Sequence, residues 1–339
     1  MSVQAPVHSR TTHHWQRELA TAVRSGMELR RRLRLPHSDS DSSATPAAES
    51  DFPVLVTESY LQRMRPGDPQ DPLLLQVLPQ HSETQQQPGF RADPVGDLQA
   101  ELTPGVLQKY HGRALLVTTG ACAIHCRYCF RRSFPYADLP VSAEQWQQAL
   151  RAIQEDTTIS EIILSGGDPL LLTDGRLRNL VTQLEQIPHL DRLRIHTRLP
   201  IVLPSRITTE LLDLLQQSRL QSIMVIHANH AAELAGDCRD AIQRLLRSGI
   251  PVLNQTVLLR HINDDADTLE QLSLSLINLG VMPYYLHQLD RVHGAAHFEV
   301  PEQQGRQLIE ELTARLPGYA VPRYVQEIPG ETSKTRISP

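Results

Sequence analysis

The segment GACAIHCRYCF places Cys122, Cys126 and Cys129 at a CxxxCxxC spacing. Three thiolates so close in sequence can hold a metal centre, and the count narrows which one. A four-iron, four-sulfur cluster usually takes four cysteines, so three leave one iron open to a substrate or cofactor. Zinc would need a fourth cysteine or a histidine at ligand spacing. His125 lies inside the tripod and is poorly placed to supply it. The remaining cysteine, Cys238, falls in a predicted helix and reads as a buried apolar thiol. The pattern therefore favours a three-ligand cluster over zinc or a chance grouping of cysteines.

An apolar strand, Ala114 to Val117, precedes the motif, and an aromatic residue, Tyr128, precedes its last cysteine. In this the chain resembles radical S-adenosylmethionine (SAM) enzymes. The resemblance implies that the open iron chelates SAM and that an electron from the cluster cleaves it to a 5′-deoxyadenosyl radical. Further segments narrow the likeness. LVTTGACAIHCRYCFRR, LSGGDPL, RLPIVLPSRIT, NQTVLLRHIND and GYAVPRY resemble the lysine 2,3-aminomutase family, from about Phe52 almost to the C-terminus. The short form of that family, which prepares (R)-β-lysine for the modification of translation elongation factor P, is the nearest likeness.

Lysine usage agrees. Of the 33 Lys and Arg residues only two are lysines, Lys109 and Lys334. An arginine-favouring genome accounts for the depletion but not for the two survivors. An amine is needed where a Schiff base must form, which arginine cannot do, and pyridoxal phosphate (PLP) enzymes hold their cofactor by such a bond. Lys334, in the loop IPGETSK, aligns with the PLP-bearing lysine of the aminomutases. The same resemblance puts Lys109 and Arg113 near the PLP phosphate, Gln255 at a further phosphate contact and Tyr110 close to the ring. Singly, each has a structural reading: surface charges for Lys109 and Arg113, an inward polar group for Gln255, a core packer for Tyr110.

Ser165, Gly166, Gly167 and Asp168 form the next constellation, 36 residues after Cys129. Glycines let backbone polar groups approach a ligand, and the family uses this segment to bind the amino group of SAM. A lone GGD would be an ordinary turn; its position after a predicted strand gives it weight. His196 and Arg198 match a segment near SAM, although His196 alone could be a core histidine. His227 to His230, HANH, has ligand residue types without a partner pair, and no metal is assigned there.

Substrate recognition follows from charge. An α-amino acid with a distant ammonium group needs a cation for its carboxylate and anions for its far end. Arg131 matches the family arginine for the carboxylate. Asp290 matches one of two family aspartates that hold the ε-ammonium, and Glu327 replaces the other, keeping the charge and reaching one methylene further.

These residues need a scaffold, and the pattern predicts one. Six apolar runs, ALLVTT, EIILS, RLRIHT, SIMVIH, VLNQTVLL and PYYLHQL, alternate with helical stretches such as AEQWQQALRAIQ and CRDAIQRLLRSG. Such alternation gives a parallel sheet with right-handed crossovers, and six units fall short of the eight of a closed barrel. The fold class is α/β, a partial (β/α)6 TIM-like radical SAM barrel with an N-terminal helical extension. The expected organisation is a helical segment over 1–37, with a helix around Trp15 to Leu33, and a flexible linker over 38–51. A helical and loop region over 52–110 then packs on the core. The barrel spans 111–316, and a strand from Gly318 to Glu327 within 317–339 leads into the lysine loop.

At 339 residues and 40% hydrophobic the chain can bury one large core, and a net charge of −5 argues against a nucleic-acid binder. The basic run Arg30 to Arg34 reads as a solvated helix face. No stretch approaches the roughly 20 apolar residues of a membrane span, no secretory leader is visible, and the cysteine usage indicates a reducing cytoplasm. Five residues follow Lys334, so the C-terminal segment by which longer family members bind zinc and assemble is not expected. The resemblance implies an isomerase that uses a [4Fe-4S] cluster, SAM and PLP on L-lysine. It also implies a reductant such as flavodoxin or ferredoxin and a functional link to elongation factor P and its β-lysine ligase. The alternatives are an aminomutase for another cationic amino acid and a non-catalytic, translation-associated scaffold.

Overall fold

The computed structural model describes residues 14–36, 45–139 and 143–338. Its centre is one sheet of ten strands: β1 (Glu101–Thr103), β2 (Val106–Tyr110), β3 (Arg113–Thr119), β4 (Glu161–Gly166), β5 (Arg192–Thr197), β6 (Gln221–His227), β7 (Val252–Val257), β8 (Met282–His287), β9 (Arg323–Gln326) and β10 (Thr335–Arg336). Their order in the sheet is their order in the chain. Strands β3 to β9 run parallel, and antiparallel pairing adds β1 and β2 at one edge and β10 at the other.

Six helices make the crossovers: Ala143–Glu155, Asp174–Glu185, Thr209–Gln217, Asp237–Arg247, Ala266–Leu279 and Glu302–Arg315. Local chemistry sets their ends. Thr173 accepts from the backbone N–H of Arg176, Thr208 from Leu211 and Asp265 from Thr268, each satisfying an orphan donor of the first turn. Gly280, at φ +87°, ends the helix of Ala266–Leu279 in the left-handed conformation that side chains avoid.

All six predicted runs are strands, and the sheet forms a partial barrel. Period-two alternation divides each strand between two environments. On β5, Leu193 and Ile195 are buried under the helices, while Arg194 and His196 point into the barrel. On β7 the inward positions are Gln255 and Val257. The apolar outer face packs with Leu177, Leu180, Leu211, Leu215, Ile242 and Leu245 of the crossover helices in one core.

The outer elements differ from expectation in detail. The N-terminal helix is two, His14–Ala20 and Gly26–Arg32, because Val23 between them pairs with Val56 as an antiparallel bridge. Of the expected linker, 38–44 lies outside the described residues, and Thr45–Asp51 is helical. The segment before β1 sends Tyr60, Met64, Leu73 and Leu74 into the main core. The last strand is shorter than read: Gly318–Ala320 is a 3-10 turn, and β9 begins only after Pro322, which has no N–H to give to a ladder. No helix among the described residues is long and apolar enough to cross a membrane.

Candidate active site

The cysteine loop leaves the C-terminal end of β3, the end at which parallel barrels place their chemistry, and the segment before β1 clamps it from outside. His125 N–H donates to Leu55 O at 3.0 Å and Arg127 N–H to Gln76 O at 2.9 Å. The Arg127 side chain is fully buried and forked onto Glu83, with Nε to Oε1 at 2.9 Å and Nη2 to Oε2 at 2.6 Å. It also donates to the carbonyls of Phe52 and Ala48 at 2.5 and 3.0 Å.

From the barrel side, the GGD segment closes on the same loop. Gly167 N–H donates to Thr119 O at 2.7 Å and Asp168 N–H to Ala121 O at 2.8 Å. A Cβ on Gly167 would stand 2.2 Å from Ala121 O, and one on Gly166, at φ +124°, 2.5 Å from Thr119 O. These glycines are therefore demanded by backbone against backbone. Asp168 borders the cavity, and its carboxylate is already bonded within the protein. Its carboxylate accepts from Thr197 Oγ1 at 2.7 Å, from Arg198 N–H at 2.7 Å and from Leu170 N–H at 3.1 Å, tying the ends of β4 and β5 together. Burial lifts its pKa to about 6.

Cys122, Cys126 and Cys129 line one end of a cavity of about 640 Å³ that runs down the barrel, within the range of sites for small molecules. Burial, with the neighbouring thiols, pushes Cys129 up to about 11 and Cys122 well above its ordinary range. Such thiols ligate only when metal charge replaces their protons. Among the described residues no three His, Cys, Asp or Glu side chains converge on one point as for a single ion. Cysteines that bond different irons of a cube need not do so, and a tripod on one cavity wall fits that group.

Arg198, expected near SAM, lines the cavity and points at the tripod. Its Nη1 donates to Cys126 Sγ at 2.6 Å, and its Nη2 to Gln76 Oε1 at 2.6 Å and Glu233 Oε2 at 2.9 Å. Ser165 Oγ accepts from Arg131 Nη1 at 3.0 Å. His196 faces the cavity with its Nε2 buried and unpartnered, and burial holds the ring neutral.

The far end is a chain of alternating charges. Arg131 Nε donates to Asp97 at 2.7 Å, Lys109 lies 2.6 Å from Asp97 and 3.4 Å from Glu327, and Lys334 is bonded to the other oxygen of Glu327. Burial acts to raise Asp97 and Glu327, but the cations outweigh it and hold both below their ordinary values. Lys109, expected at the phosphate, also donates to Val95 O at 2.8 Å and lines the same cavity. Glu327 is likewise engaged, by Lys334, Lys109 and the Tyr110 hydroxyl. Gln255 Nε2 lies 2.6 Å from His227 Nε2.

Two expected residues keep open charges in this cavity. Arg113 stacks at 4.8 Å over the Tyr110 ring and Asp290 projects from the loop after β8; among the described residues neither forms an ion pair. Burial carries the Asp290 pKa to about 7. An open cation and an open anion, with the Lys334 amine in the same cavity, fit a phosphate-bearing cofactor and a cationic substrate. Sequence reasoning missed Asp97, His287, Arg323 and Arg336, all on the cavity wall. It also missed Glu233 and Gln76 behind Cys126. Their only sequence signals were a polar residue in a Pro- and Gly-rich loop for Asp97 and inward strand positions for His287 and Arg323.

Comparison with known proteins bears on the whole chain. Residues 116–272 match the Radical SAM superfamily. The L-lysine 2,3-aminomutase of Escherichia coli K12 is 48% identical over 95% of this chain and 94% of its own length. That of Haemophilus influenzae Rd is 43% identical over 98% and 97%. The enzyme of the same name from Clostridium subterminale is 32% identical over 96% of this chain and 78% of its own.

Proposed function

This chain belongs to the L-lysine 2,3-aminomutase family of the radical SAM superfamily, and from that premise we propose how its own residues carry out the reaction. It is a radical SAM isomerase, and the activity is the transfer of the lysine amino group from C2 to C3. When bound, a [4Fe-4S] cluster with SAM supplies the radical that opens an unactivated C–H bond, and PLP supplies the carbonyl chemistry through which nitrogen moves.

Cys122, Cys126 and Cys129 hold the cluster, and the segment Ser165 to Gly167 with His196 borders SAM. Asp168 acts behind them as a buttress, through its hydrogen bonds to Thr197 and Arg198. Lys334 holds PLP through its amine. Arg113 would neutralise the phosphate, with Gln255, Arg323 and Arg336 on the same cavity wall, and Tyr110, stacked on Arg113, would lie close to the ring. Arg131 takes the lysine carboxylate on the edge of its guanidinium not given to Asp97 and Ser165. Asp290 accepts the ε-ammonium, and Glu327 joins it when Lys334 is engaged elsewhere. The apolar part of the wall, including Val257, Leu289 and Tyr285, keeps water from a radical that would otherwise be quenched.

The observation that carries this reading is the pair of open charges, Arg113 and Asp290, in the cavity that also holds the tripod. The test is an anaerobic assay of reconstituted protein with SAM, PLP, a reductant and L-lysine, separating α- from β-lysine by chromatography. β-Lysine formed only with both SAM and PLP is the expected result; SAM cleavage without β-lysine would move the substrate to another cationic amino acid. The product, in turn, supplies a β-lysine ligase acting on elongation factor P in the cytoplasm, with flavodoxin or ferredoxin as reductant. The likeness to the short form supports this. Loss of the β-lysyl mass from the factor on deletion of this gene is the expected outcome, and an unchanged mass would overturn it.

A further inference from the structure

Behind Cys126, at the cavity wall, lies a buried polar network that the reaction as described does not use. Arg198 is its centre, with Nη1 on Cys126 Sγ and Nη2 shared between Gln76 and Glu233. Gln76 Nε2 donates to the other oxygen of Glu233 at 3.0 Å. Asn229 Nδ2 donates to Gln76 Oε1 at 3.0 Å and to the Tyr128 hydroxyl at 2.6 Å. Glu233 also accepts from the backbone N–H of Asn229 at 2.9 Å. The Arg198 guanidinium lies over the rings of Tyr60 and Tyr128 at 5.4 and 5.8 Å. Gln76, Tyr60 and Glu233 are wholly buried, and Asn229 is 2% exposed.

A buried ion pair is expensive to desolvate and is poor evidence for stability, so its placement against one cysteine calls for another account. Hydrogen bonds to cluster sulfurs and the net charge around them set an iron–sulfur centre's reduction potential, and such outer partners tune a metal as much as its ligands do. A donor that carries full positive charge favours the more negative, reduced cluster. A carboxylate on the far side of that donor opposes it.

We propose that Arg198 is a positioning residue for the cluster, which raises its reduction potential through the hydrogen bond to Cys126, and that Glu233, held by Gln76, sets how far. This rests on the tripod holding a cluster, as above. The arrangement gives opposite signs for the two members of one ion pair, which a merely structural pair would not. Arg198→Met removes the donor and its charge and shifts the midpoint potential to more negative values. Glu233→Gln keeps the size, gives up one acceptor among the donors around it, removes the opposing charge and shifts it to more positive values. Arg198→Lys retains the charge and restores part of the loss.

The experiment is a redox titration of the reconstituted full-length protein and these variants, followed by the electron paramagnetic resonance of the reduced cluster, with iron and sulfide measured on each sample. Shifts of opposite sign at wild-type iron content are expected. Unchanged potentials, or shifts of the same sign, would overturn the proposal. Should Arg198→Met not assemble a cluster, Glu233→Gln decides alone: a positive shift upholds the assignment and none removes it. Wild-type protein that assembles no cluster would instead sink the cluster reading itself.

Discussion

The two ends of the cavity are built on opposite plans. At the cysteine end, Arg198, Glu233, Gln76, Asn229 and Tyr128 bond one another, and Arg127 and Glu83 lock the loop, with Arg198 Nε the exception left unpartnered. At the lysine end, Arg113 and Asp290 lack ion pairs among the described residues, and His287 keeps a buried ring nitrogen without a partner. A satisfied network holds one geometry before any ligand arrives. Unsatisfied buried groups cost free energy until a ligand fills them. The first end is a socket formed by the protein alone, and the second is completed by what binds there.

The largest effects should separate the ends outright. Cys126→Ala is expected to abolish SAM cleavage and lower bound iron while leaving the absorbance of bound PLP. Lys334→Ala should do the reverse, keeping iron and SAM cleavage and losing the PLP absorbance and β-lysine formation. If either variant lost both sets of signals, the ends would form one cooperative site and the contrast would fail.

The satisfied end should also fail by structure rather than by chemistry. Glu83→Ala strands the buried Arg127 guanidinium, and breaking one partner of a buried pair costs about 3–5 kcal/mol. The checks are thermal unfolding and cluster content, both expected to fall. A variant with wild-type melting and full iron would show that the clamp on the cysteine loop is dispensable.

What the sequence disclosed follows the same divide. The strands were readable because period-two and apolar runs repeat on all six, and the tripod because ligand spacing is local. Lys334 stood out because nearly every other basic residue is arginine. Asp97 and Glu233 were not readable, since their roles arise only when a loop before β1 and a turn after β6 reach β3 and β5. The ion pairs of Lys109 were hidden for a related reason: its partners Asp97 and Glu327 lie 12 residues before it and 218 after it. The bonds of the Asp168 carboxylate to Thr197 and Arg198 were hidden as well, because a motif shows residue types and not which atoms already have partners.

Between the two plans stands Asp97, which fixes Arg131 through Nε while leaving its other edge for substrate. Asp97→Asn keeps the shape and weakens the hold. A misplaced anchor of this kind costs on the order of 10²-fold, and kcat/KM for lysine should drop by about that much while SAM cleavage without substrate is unchanged. An equal drop in both would assign Asp97 to the cluster end.

The mildest test reads a proton. Asp290 is carried to about 7, chiefly by burial, with the Lys334 charge opposing and Glu327 adding to the rise. An ammonium binds the ionised carboxylate, so below this value a proton must leave before lysine enters. Linkage then makes KM for lysine rise about tenfold per pH unit as the pH falls below about 7. Above 7 it should be flat until the substrate ammonium itself titrates near ~10.4. Asp290→Asn should raise KM at neutral pH and abolish the acidic limb. A wild-type KM that stays level from pH 5 to 8 would mean that Asp290 does not meet the ammonium. The open anion at this end would then need another partner, and the contrast between a finished socket and an unfinished one would rest on Arg113 and His287.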